Sequence, residues 1–128
     1  MIEQVYMSKD DYEVIAYKIL AYLYACLKAG KKVDIPAMRS LADCNEAYFG
    51  SVLKHLQTKG LVEGFVFDGL SGIVIDSPSL ASVGEPAITM DGAIYVKENS
   101  RMEKVKLFLG ESFGRALATL IESAITRM

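Results

Sequence analysis

Residues 45–69 read NEAYFGSVLKHLQTKGLVEGFVFDG. Phe49, Val52, Leu53 and Leu56 recur at the three- and four-residue spacing of one helix face. Asp43 and Asn45 both have side chains suited to an N-cap, and Gly60 is suited to a stop, so a helix is expected over Glu46 to Lys59. The seven residues Leu61–Phe67 are rich in β-formers, Asp68-Gly69 follows, and Gly72-Ile73-Val74-Ile75 is again β-rich. An Asp-Gly pair between two such runs is a hairpin signal, so strand, turn and strand are expected after the helix.

Upstream, Ser8 followed by Asp11 has the form of an N-cap with an acid at the third helical position, and no Gly or Pro interrupts the chain before Gly30. A first helix over about 10–29 is expected, with Ile15, Ile19, Tyr22 and Cys26 facing the core. Val14, Tyr17, Ala21 and Tyr24 form a second apolar stripe nearly opposite, which calls for cover on two faces. Lys31-Lys32-Val33-Asp34-Ile35 has extended character, and Pro36 suits the first turn of a short helix through Ala42.

Downstream, residues 77–86 (SPSLASVGEP) form an irregular connection, and Thr89 caps a helix through Asn99. Arg101 to about Thr126 is expected to be one long helix with two seams, Met102, Val105, Leu109, Ala116 and Leu120 on one and Leu107, Gly114, Ala118, Ile121 and Ile125 on the other. Gly110 and Gly114 each cost a helix about 1 kcal/mol relative to alanine, so they call for a close packing partner or mark a break. Helix, short strand, helix, helix, strand, Asp-Gly turn, strand, helix is the order of a winged helix-turn-helix. The expected fold is therefore α+β, a winged helix-turn-helix with a β-hairpin wing and an additional long C-terminal helix. A single domain spans 1–128, with the core in 10–100 and the C-terminal helix in 101–128.

Two stretches, NEAYFGSVLKHLQTKGLVEGF (Asn45–Phe65) and ITMDGAIYVKENS (Ile88–Ser100), resemble the corresponding parts of the YjcQ family of small bacterial and phage-associated proteins. The resemblance covers roughly residues 12–105. It implies a winged-helix fold and a bacterial or prophage origin, and it supplies no mechanism. The long C-terminal helix and the 77–86 loop depart from shorter members of the family.

The chain has 128 residues, 52% hydrophobic and 23% charged, with a net charge of −2. That balance excludes disorder. Ile19–Leu27, nine uncharged residues between Lys18 and Lys28, is about half of a membrane span of about 20 residues. The N-terminus lacks a basic region followed by an apolar run, so a cytoplasmic location and no membrane partner are expected. Cys26 and Cys44 have no metal-site spacing and read as reduced, buried thiols. Residues 31–60 carry +2, whereas residues 61–100 carry −5.

If the apolar side of the 46–59 helix faces the core, Ala47, Ser51, Lys54, His55 and Thr58 face outward, a surface compatible with the major groove of DNA. Lys31, Lys32, Arg39 and Lys59 would add phosphate contacts. The plain alternative is a solvated helix face. Residues 61–76 hold Glu63, Asp68 and Asp76 and no Lys or Arg, so a wing there would repel phosphates.

His55 is the only histidine, which argues against a His-Asp pair or a multi-histidine metal site. Gly110-Glu111-Ser112-Phe113-Gly114 matches the nucleophile elbow G-x-S-x-G, but no histidine follows and the chain is too short for that sheet. Tyr6, Tyr12, Tyr17, Tyr22 and Tyr24 lie among more acids than bases, so packing explains them better than base stacking. No cofactor fingerprint is present.

The expected function is thus non-enzymatic, a transcriptional-regulator-like DNA-binding module. It would act as a homodimer through Val14, Tyr17, Ala21, Tyr24, Leu107, Gly114, Ala118, Ile121 and Ile125. A protein-interaction module on the same frame is the alternative, favoured by the acidic 61–100 segment. A small-molecule sensor, with ligand near Tyr17 and Tyr24, is a third reading. Intramolecular packing of the C-terminal helix on helix one is the other use of the two seams.

Overall fold

The computed structural model describes residues 7–67 and 85–126, with side chains through Glu122. Helix α1, Tyr12–Ala29, is its centre. Val14, Ile15, Ile19, Leu20 and Tyr22 have no solvent exposure, and α1 packs against every helix that follows it. Two-faced burial was the expectation, and both covers come from the same chain. The cap differs from the sequence reading. Ser8 N–H donates to the Asp11 carboxylate (3.0 Å) and Ser8 Oγ to Asp10 (2.6 Å), closing a turn that leaves Asp11, not Ser8, at the N-cap.

Helix α2, Ile35–Ala42, starts where Asp34 Oδ1 accepts from Ala37 N–H (3.2 Å), with Pro36 in the first turn. The preceding Lys31–Asp34 segment forms no strand. Tyr22 holds it instead, because its buried hydroxyl accepts from Asp34 N–H (3.0 Å) and donates toward Asp34 C=O (3.5 Å). At the other end of α2, Lys18 Nζ donates to Ala42 C=O (3.4 Å), setting a cation at a helix C-terminus.

Helix α3, Glu46–Thr58, is capped by Asn45, whose Oδ1 accepts from Tyr48 N–H (2.8 Å). Asp43, the other cap candidate, ends α2 in a left-handed conformation. Phe49, Val52, Leu53 and Leu56 are buried as their spacing indicates, each worth about 1.5–3 kcal/mol of transfer free energy.

Strand β1 is only Val62–Glu63, and it pairs antiparallel with β2, Ala87–Ile88, in the register Val62↔Ile88 and Glu63↔Ala87. The expected seven-residue strand is shorter because Gln57 intercepts it. The Gln57 amide donates to Phe65 C=O and accepts from Phe65 N–H, both at 2.9 Å, which engages the backbone groups a ladder would use. The partner of β1 here, Ala87–Ile88, directly follows the 77–86 connection, where no strand was expected. The Asp68-Gly69 turn and the 72–75 run lie outside the described residues.

Helix α4, Met90–Glu98, begins as expected at Thr89, whose Oγ1 accepts from Gly92 N–H (3.0 Å). The same hydroxyl donates to Gly60 C=O (2.7 Å), and Thr89 N–H donates to Leu61 C=O (3.0 Å), so α4 is pinned to the end of α3. Asn99 closes α4 and opens α5, Ser100–Thr126, by accepting from Arg101 and Met102 N–H (2.9 and 3.2 Å).

Of the two readings of the C-terminal glycines, a close packing partner or a break, Gly110 is a break. Gly110 sits at φ 71°, ψ −164°, a region open essentially to glycine alone. The break separates a first arm (100–109) from a second arm (111–126) and shifts the phase of the apolar seam. Met102, Val105, Leu109 and Leu120 pack inward as read, joined in the second arm by Phe113, Leu117 and Ile121, whereas Ala116 is exposed. The result is a mostly helical α+β protein with one small antiparallel sheet among the described residues.

Candidate functional site

The cap at Asn45 and the apolar anchor of α3 leave Ser51, Lys54, His55, Thr58 and Lys59 exposed. They do not form one uniform surface. The His55 ring lies 6.0 Å from that of Tyr12, tilted by 53°, so it leans on the start of α1. Ser51, Lys54 and Thr58 are exposed along α3, and Lys59 stands at its C-cap. The N-terminal end of α3 is acidic: Glu46 lies in its first turn, and the Tyr48 hydroxyl donates to Asp10 C=O (2.6 Å), bringing Asp10 and Asp11 alongside. Burial, then Asp10, raises the Tyr48 pKa above its ordinary value. Exposed positive charge on α3 therefore concentrates in its second half.

The other proposed phosphate contacts divide. Lys32 is exposed. Lys31 is half-buried and donates to the Tyr22 hydroxyl and to Lys32 C=O, both at 3.3 Å. Arg39 pairs with Glu46 at 3.5 Å. Lys31 and Arg39 thus stabilise the α1–α2–α3 frame and present less charge outward than the sequence indicates.

The residues assigned to a dimer interface also divide. Val14 is fully buried and Tyr17 is buried with its ring 5.8 Å from Phe113, so this part of the α1 stripe is covered by α5 of the same chain. Ala21 and Tyr24 are half-buried beside α4 and α5, and Ile121 packs against the core. Two seams on α1 therefore need no second chain. Leu107, 71% exposed, Gly114 and Ala118 remain on the surface. The Ile125 side chain lies outside the described residues. Sequence reasoning missed Phe108, 43% exposed beside Leu107, although the run Leu107-Phe108-Leu109 before a glycine was visible.

A cleft of about 350 Å3 opens where α1, α4 and both arms of α5 meet. Tyr17, Tyr24, Val96 and Leu117 give it apolar walls, and Lys28, Lys97, Lys106 and Glu103 reach it. Lys28 Nζ lies 4.7 Å from the Tyr24 ring centre and Lys97 Nζ 5.9 Å. Burial, then Glu103, raises the Tyr17 pKa. Lys28, four residues after Tyr24, was legible from helical spacing. Lys97 and Lys106 come from other helices and were not.

Ser112, in the match to the nucleophile elbow, lies on the helical second arm and points its hydroxyl at Leu109 C=O (3.5 Å). Cys26 is buried and Cys44, expected to be buried, is half-buried. Both are free thiols whose pKa burial raises, which disfavours thiolate chemistry. Among the described residues, no cluster of three or more His, Cys, Asp or Glu could hold a metal ion, and no helix is long and apolar enough to cross a membrane.

Fold and surface together define a mostly helical α+β protein whose capped third helix presents a small polar face. The chain belongs to the YjcQ protein family, whose model matches residues 17–109. No curated protein and no solved structure matches it.

Proposed function

We propose that this protein is a non-enzymatic winged-helix module that binds duplex DNA, in the manner of a transcriptional regulator, with α3 as its recognition helix. The observation that carries the reading is the division of α3. Four apolar side chains lock it onto the frame, and Ser51, Lys54, Thr58 and Lys59 stand clear of the protein. A rigid helix with exposed hydroxyl and ammonium groups is what major-groove contact requires. The segment joining β1 to β2 is the wing in this reading. Residues 61–86 contain Glu63, Asp68, Asp76 and Glu85 and no Lys or Arg, so the wing contributes no phosphate affinity and α3, with Lys32, supplies it.

Replacing Lys54 and Lys59 with Glu tests the assignment. Binding to duplex DNA should weaken and its logarithmic salt dependence should flatten by about two, one for each phosphate that is no longer neutralised. Unchanged affinity and slope would remove α3 from the interface.

Homodimerisation belongs to the same proposal, through the exposed Leu107, Gly114 and Ala118 side of α5. Light scattering at micromolar concentration should give about twice the chain mass of 14.0 kDa, and Leu107→Glu should return it to the monomer. A monomer in the unaltered protein would end this part. The second reading, a protein-interaction module without DNA binding, is favoured by one observation: Leu107 and Phe108 stand side by side in solvent.

A further inference from the structure

The cleft between α1, α4 and α5 is independent of the α3 face. Its volume, about 350 Å3, falls in the range of small-molecule sites, about 300–1,000 Å3. Three lysines reach it, Lys28 from α1, Lys97 from α4 and Lys106 from the first arm of α5, against one carboxylate, Glu103. None of the three lysines is in an ion pair among the described residues. Lys28 and Lys97 both approach the Tyr24 ring. A ring face attracts a cation by about 0.5–1 kcal/mol at an exposed site but leaves its charge unneutralised.

We propose that this cleft binds a small organic monocarboxylate with an aromatic or branched apolar body. The carboxylate sits between Lys28 and Lys97, where it relieves the repulsion of two ammonium groups sharing one ring. The apolar body lies against Tyr17, Tyr24 and Leu117. Charge and walls together select the class. An inorganic dianion would leave the apolar walls in water, and a neutral molecule would gain nothing from the charge of the lysines. The break at Gly110 lies between the two arms that line the pocket, Glu103 and Lys106 on the first and Leu117 on the second, with Phe113 resting on Tyr17.

Benzoate is the probe. Amide resonances of 15N-labelled full-length protein are followed with benzoate, benzamide and inorganic phosphate, each to about 10 mM, which detects dissociation constants down to weak millimolar binding. Benzoate should give saturable shifts confined to residues around Ala21, Ala25, Lys28, Val96 and Lys97. Benzamide and phosphate should each bind at least about fivefold more weakly, as expected when charge and apolar contact both contribute. The double variant Lys28→Gln/Lys97→Gln changes two exposed side chains, and its dispersed spectrum reports its fold directly. It should lose at least about fivefold in benzoate affinity. The proposal is overturned by the absence of saturable shifts, by equal binding of benzamide or phosphate, or by undiminished benzoate binding in the folded double variant.

Discussion

Gly92→Ala is a substitution for which local and tertiary physics disagree in sign. In an open helix, alanine is favoured over glycine by about 1 kcal/mol. At position 92 the new Cβ would stand 2.0 Å from Leu61 O, 2.8 Å from Ile88 Cγ1 and 2.9 Å from Leu61 C. The nearest atom is backbone and cannot swing away, so α4 must retreat by an ångström or more. Retreat strains the two bonds that pin α4 to the end of α3, Thr89 Oγ1 to Gly60 C=O and Thr89 N–H to Leu61 C=O, at about 1 kcal/mol each. Overpacking of the β2 side adds about 1–3 kcal/mol. After the propensity gain is subtracted, a net loss of about 2–4 kcal/mol remains, or a fall in Tm of about 8–16 °C for a chain of this length. Thermal and urea unfolding followed by circular dichroism measure it. Gly114→Ala, where an added Cβ meets nothing of the same chain within 4 Å, is the internal control when both alanines are placed in the Leu107→Glu background, which lacks the proposed dimer contact, and should gain up to about 1 kcal/mol. Equal stabilisation by both alanines would refute the docking of α4 on Leu61.

Tyr22→Phe removes the acceptor for Asp34 N–H and should cost about 1–2 kcal/mol, read as a lower urea midpoint with an unchanged slope; a loss below about 0.3 kcal/mol would mean the hydroxyl does not hold the α1–α2 connection. Burial raises the Tyr22 pKa, with Tyr12, Tyr17 and Tyr48 shifted the same way. Unfolded tyrosines release protons near their ordinary value of about 10 while the folded ones retain them, so stability is complete below that pH and falls above it. Lys18, whose pKa burial lowers, acts in the opposite direction there, so the difference between wild type and Tyr22→Phe isolates the tyrosine. That difference should shrink as pH rises past 10, and a constant gap would contradict the assignment. Gly110→Ala forces a side chain into a conformation costing about 1–3 kcal/mol and should weaken the nuclear Overhauser contact between the Tyr17 and Phe113 rings. An unchanged contact and Tm would show that the break does not depend on glycine.

Sequence patterning located the helices because their signals are local. Asn45, Thr89, Pro36 and Gly60 act within one turn of themselves, and the face Phe49, Val52, Leu53 and Leu56 is a periodicity within one helix. The strand pairing was not legible, since β1 takes its partner from Ala87–Ile88 across more than twenty residues and is cut short by the Gln57 amide. Nothing local marks a glutamine as a clamp on Phe65. Gly110 was legible as a break or a packing site but not as which, because the choice depends on whether Phe113 and Leu117 find α1. The same limit applies to the surface. Val14 and Tyr17 have the spacing of an interface stripe, and only the folding back of α5 makes them core. The exposed α3 residues were readable in advance, whereas the pairing of Arg39 with Glu46 and of Lys31 with Tyr22 crosses elements and reduces the outward charge.

Fluorescence anisotropy of labelled mixed-sequence duplex DNA, titrated with the full-length protein at low and at near-physiological salt, tests the proposed function most directly. Saturable binding is expected at low salt, weakening with added salt by a logarithmic slope of about −3 per bound chain, the value for Lys32, Lys54 and Lys59 at about 0.9 per phosphate. Absence of binding at low salt would contradict it, and so would binding whose slope is zero.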